Sequence, residues 1–95
     1  MKLIRSCKQL KKGDKIYFKH DSNNHKKDDW VGVVLLVGKT TFWVNLKCVG
    51  ENKELPNEKF RENWFKKKVR LNWELYTIGK DKFKKLEQEA IVNRL

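Results

Sequence analysis

Proline is almost missing from this chain: Pro56 is the only one in 95 residues, and glycine occurs five times. That scarcity excludes collagen-like and Pro/Gly-rich linker sequences, and 39% hydrophobic content points to a chain that folds. Cysteine is limited to Cys7 and Cys48, with no CxxC pair, which excludes a disulfide-stapled scaffold and a zinc ribbon. Long apolar runs are absent too. Trp30–Val37 is far too short to cross a bilayer, and Met1-Lys2-Leu3-Ile4-Arg5 meets charge at once instead of opening a signal peptide. The expectation is a cytoplasmic protein with no membrane partner and two free thiols; a Cys7–Cys48 bridge would require export. No glycine-rich phosphate loop is present either.

Acid is the remaining shortage. Twelve Asp and Glu stand against twenty-three Lys and Arg, a formal charge of +11. Such a surface attracts polyanions: nucleic acid, an anionic membrane or an acidic protein face. Lys greatly outnumbers Arg, as an AT-rich coding sequence also produces, so charge alone does not identify the partner. The length suits one domain over residues 1–95 with a thin core, so each large apolar side chain has a structural claim first.

Periodicity supplies the elements. A helix-or-loop segment runs to Lys12 and meets the turn signal Gly13-Asp14. Lys15–Lys19 alternates as a strand, with Ile16 and Phe18 on one face and Lys15, Tyr17 and Lys19 on the other. His20–Asp29 reads as a long polar loop. Trp30–Val37 is β-branched and apolar on both faces, so both should be covered. Gly38-Lys39 turns the chain into Thr40–Leu46, with Phe42, Val44 and Leu46 inward and Thr41, Trp43 and Asn45 outward. Gly50–Lys53 is a turn. Asn57 caps a short predicted helix, Glu58 to about Lys67, with Phe60, Trp64 and Phe65 as its stripe. Val69–Ile78 alternates as a strand, and Asp81 caps a final helix, about residues 80–95, carrying Phe83, Leu86, Ala90, Ile91 and Leu95.

The predicted fold class is mainly β (α+β): a small, strongly bent antiparallel β-barrel of SH3-like type with a short helix and a C-terminal helix. The segment Leu10-Lys11-Lys12-Gly13-Asp14-Lys15-Ile16-Tyr17, followed by Trp30-Val31-Gly32-Val33-Val34, resembles the opening of Tudor- and KOW-type SH3-like barrels. In those modules a Gly-Asp turn launches the first strand and a Gly-containing apolar strand follows. The resemblance spans about the first half of the chain. It implies the barrel fold and lends weight to a binding function.

No catalytic set emerges, so no enzyme is expected. His20 and His25 lie near Asp21, Asp28 and Asp29, but their spacing matches no zinc pattern; neither metal nor cofactor is expected. The aromatics say more. Tyr17, Trp43 and Tyr76 fall on the faces opposite the core stripes, among Lys15, Lys19, Asn45 and Arg70. Rings beside cations on a β-surface suit stacked bases and neutralised phosphates. If the C-terminal helix covers that face instead, Trp43 and Tyr76 are core. Lys66-Lys67-Lys68-Val69-Arg70 is the densest basic run, and Lys80, Lys82, Lys84 and Lys85 form another. The expected function is DNA or RNA binding, with Tyr17 and Trp43 stacking and Lys19, Lys66, Lys67, Lys68 and Arg70 supplying charge. The rival is a protein-interaction module, such as a small inhibitor or accessory subunit, docking on an acidic protein surface.

Overall fold

The computed structural model describes residues 1–21, 27–49, 53–67 and 73–92. In chain order, β1 (Lys2–Ile4) leads into a 3-10 turn, Cys7–Gln9. Next come β2 (Lys15–Asp21), β3 (Lys27–Val37), β4 (Thr41–Cys48) and β5 (Glu54–Arg61). A second 3-10 segment (Glu62–Lys67), β6 (Trp73–Thr77) and helix α1 (Lys80–Val92) follow among the described residues. The strands form one sheet in the order β1-β6-β2-β3-β4-β5, antiparallel at every step.

The Gly13-Asp14 turn launches β2 as expected, and it needs glycine: Gly13 sits at φ +92°, where a side chain is strained. Its N–H reaches the Val34 carbonyl at 2.8 Å, and the Val34 N–H returns to the Asp14 carbonyl at 2.9 Å, tying the turn to β3. The β3–β4 hairpin follows the predicted alternation, with Phe42, Val44, Leu46 and Cys48 all buried. A bulge lies between Val34 and Leu36, so Leu36 pairs with Trp43 and Val37 with Phe42. Inserting one residue flips the strand's facing. Leu36 is thereby turned onto the outer face, where it is 55% exposed.

The sheet is strongly bent around one core. Laid flat at ~4.8 Å per strand, β5 and β6 would stand about 19 Å apart. Yet the Phe60 and Trp73 rings lie 6.0 Å apart, and Phe18 reaches Phe60 at 5.5 Å. Phe42 stacks on both Phe60 (5.2 Å) and Phe65 (5.9 Å), forming an aromatic centre that Ile4, Leu10, Ile16 and Leu75 enclose. No ladder joins β1 to β5 among the described residues. Instead a carboxylate bridges the two ends: the Cys7 N–H, just after β1, donates to Glu62 Oε2 at 2.7 Å, just after β5.

Several expectations change. The region Glu58–Lys67 is not a helix. Its first half continues β5, where Phe60 pairs with Phe42, and its second half is the 3-10 segment. Phe60 and Phe65 still face one core and Trp64 packs against it, which is why their spacing imitated a helical stripe. Pro56 is tolerated because β5 is an edge strand. The N-terminal segment contributes strand β1, paired with β6 from Lys2↔Thr77 to Ile4↔Leu75. The predicted loop His20–Asp29 is shorter, since β2 runs to Asp21 and β3 begins at Lys27. Of the predicted strand Val69–Ile78, residues 73–77 are β6; Val69, Arg70, Leu71 and Asn72 lie outside the described residues. Asp81 sits inside the first turn of α1 and does not cap it; the first α1 bond runs from the Phe83 N–H to the Gly79 carbonyl.

Candidate functional site

The outer face of the sheet is best read as rungs across the strands. One rung runs Tyr76–Tyr17–Val31–Lys47 and the next Lys15–Val33–Asn45. Beyond the bulge comes Leu36–Trp43–Lys59, and at the end Thr41–Arg61. Helix α1 crosses the first two rungs. Phe83 lies under Lys15 Nζ, 5.3 Å from its ring centre, and Glu87 meets Lys47 at 3.8 Å. Val31, Val33, Asn45, Phe83 and Glu87 line the space between helix and sheet. The helix thus covers the middle of β3, as its two apolar faces require, and leaves the last two rungs uncovered.

Trp43 stands on that uncovered part. Its ring is half-buried, with Lys59 Nζ 5.5 Å from the ring centre, a cation–π arrangement. Leu36 (55% exposed) pairs with it on β3, and Leu35 (38% exposed), the bulge residue next to Leu36, also lines the space against α1. Arg61 and Thr41 follow one rung on, and Lys66 comes from the 3-10 segment. Arg61, Lys66, Thr40, Thr41 and Asn63 line a notch of about 360 Å³ together with Glu62. With Lys66 beside them, these two rungs bring together three cations and an indole. The acid of the notch, Glu62, is committed to Cys7.

That commitment has electrostatic consequences. Burial, reinforced by donation to Glu62 and by its charge, pushes the Cys7 thiol up to about 12. The Cys7 thiol and N–H both donate to Glu62, and these bonds outweigh burial in holding its carboxyl below the ordinary value. Both Cys7 and Cys48 are buried and free. Among the described residues no three His, Cys, Asp or Glu side chains gather as a metal-binding group.

The residues singled out from the sequence divide accordingly. Trp43 and Lys66 belong to the same end of the molecule. Tyr17 shares the outer face with Trp43 but is two rungs and two strands away, roughly 17 Å at ordinary sheet spacings, with α1 crossing between. Its ring meets Tyr76 at 6.3 Å, and the Tyr76 hydroxyl donates to Glu74, which raises the Tyr76 pKa. Lys19 is exposed but faces Asp29 across the β2–β3 ladder. Lys67 closes the 3-10 segment, whereas Lys68 and Arg70 lie outside the described residues. Lys59, Arg61, Thr40, Thr41 and Asn63 were missed. The alternation Lys59-Phe60-Arg61 carries the signal, hidden while the segment is read as helix.

No known family model, curated protein or solved structure matches the chain. Among the described residues no helix is long and apolar enough to cross a membrane.

Proposed function

We propose that this protein is a nucleic-acid-binding module, an SH3-like barrel in architecture, that holds a single strand against the uncovered end of its outer sheet face. The observation that carries the reading is the Trp43 surface. An indole lies open on one side, with Lys59 on its own rung, Arg61 on the next and Lys66 beyond. Base stacking on such a ring is worth about 1–3 kcal/mol, and each neutralised phosphate adds a salt-dependent share. The protein acts by binding alone, without a cofactor. The two buried free thiols accord with residence in the cytoplasm.

The test is fluorescence anisotropy of labelled single-stranded and duplex oligonucleotides over a salt series. The expected outcome is tighter binding of the single strand, with log K falling linearly in log salt by about 0.7 per phosphate engaged. Absence of binding at low salt overturns the reading.

A second reading rests on Leu35 and Leu36. Exposed leucines beside a tryptophan and ringed by cations also describe a hot spot for an acidic protein face. Binding of an acidic protein to this face, with no affinity for oligonucleotide, would select it.

A further inference from the structure

We infer that the notch between the β3–β4 turn and the second 3-10 segment is a seat for one backbone phosphate of a single strand whose adjoining base lies on Trp43. This inference rests on the nucleic-acid reading above and adds a location, a register and a strand state to it.

The notch is built for an oxyanion. Arg61 offers a planar fork of N–H groups and Lys66 a mobile point charge. The Thr40 and Thr41 hydroxyls and the Asn63 amide supply neutral donors around them. A phosphodiester presents several acceptor oxygens in a tetrahedral arrangement, which a mixed set of this kind satisfies better than a single lysine would. Neither Arg61 nor Lys66 is held in an ion pair by a described residue, so both charges are available. The one carboxylate in the lining, Glu62, accepts from the Cys7 backbone at 2.7 Å. The backbone of the notch is also braced, because the Glu62 N–H donates to the Thr40 carbonyl at 2.7 Å.

Register sets the spacing of the two contacts, and the open indole sets the strand state. Thr41 pairs with Arg61 and Trp43 with Lys59, two residues further along both strands and on the same face. Two residues of strand advance about 6.8 Å. A phosphate in the notch and a base on Trp43 therefore fit neighbouring nucleotides of one strand. A duplex keeps its bases stacked inside and offers no face to the indole.

The test uses the full chain with Arg61→Gln, Lys66→Gln and the double variant, and Lys82→Gln on α1 as a control. Because Arg61 and Lys66 are exposed, melting temperatures should stay at the wild-type value. The double variant should bind a single-stranded oligonucleotide at least tenfold more weakly. Its salt slope should be shallower by about 0.7, one phosphate, while Lys82→Gln leaves that slope near wild type. In 15N spectra of the wild type, the Arg61 side-chain N–H and the Trp43 indole N–H should shift together as oligonucleotide is added. If the wild type binds oligonucleotide but the double variant keeps its affinity and slope, the notch is not the seat and the nucleic-acid reading stands. If the wild type binds no oligonucleotide, or an acidic peptide alone moves these two signals, both fall.

Discussion

Replacing Gly32 with alanine should cripple the fold, although strand propensity alone predicts the reverse. Alanine in a strand is ordinarily favoured over glycine by roughly 0.5–1 kcal/mol. At Gly32, however, a Cβ would lie 1.7 Å from the Asn45 carbonyl oxygen and 2.8 Å from its carbon. Both are backbone atoms of the neighbouring strand and cannot swing aside as a side chain would. Relief requires β3 and β4 to part by more than 1 Å where Gly32 pairs with Leu46 and Val33 with Asn45. Two ladder bonds at about 0.5–1.5 kcal/mol each, plus an overpacking cost of about 1–3 kcal/mol, give a loss of about 2–6 kcal/mol. Domains of this size hold roughly 5–15 kcal/mol in total. At about 4–8 °C per kcal/mol, the melting temperature should fall by at least ~8 °C, with a matching drop in the urea midpoint. A variant that melts at or above the wild-type temperature refutes the close approach of these strands, and with it the tight bend of the sheet.

The bridge between the sheet's two ends is tested by Glu62→Gln. Its folded pKa lies below the unfolded value near ~4.3, so its contribution is fully present above that pH and is lost as pH falls through the folded pKa. The variant should lose about 1–2 kcal/mol at neutral pH, allowing for partial exposure, and show a smaller stability drop in acid. An unchanged acid limb in pH-dependent urea melts contradicts the bridge. For the thiols, native Cys7 should resist alkylation at pH 8, where a pKa of about 12 leaves about one part in ten thousand as thiolate. Mass spectrometry should find both cysteines reduced and modified only after unfolding; fast native labelling of Cys7 would show that it is not buried.

Strands whose two faces differ were readable from the chain alone. Ile16 and Phe18 against Tyr17 and Lys19, and Phe42, Val44 and Leu46 against Trp43, announce both the element and the facing. What failed depends on partners distant in sequence. Phe60, Trp64 and Phe65 share a core because β5 is laid against β4 and the chain then curls in a 3-10 segment, which local spacing cannot separate from a helix. Strand β1 has three residues, too few for a period to show, and exists because β6 offers it an edge. The site divides in the same way. Alternation exposes Trp43, but Lys59 and Arg61 join it only through register, and Leu36 only through the bulge. Tyr17 belongs to the same face by alternation and is set apart by the path of α1, which the sequence of β2 does not contain.

The most direct test of the account is one variant, Trp43→Ala, measured for oligonucleotide affinity and melting temperature together. Trp43 stands beyond the helix with its ring only half-buried, so its loss should weaken single-strand binding about 10- to 100-fold, the range of one stacked base. Stability should fall by about 1 kcal/mol, under ~8 °C in melting temperature. A collapse of the melting temperature with affinity per folded molecule unchanged would make Trp43 a core residue. The outer end of the sheet would then not be the binding surface.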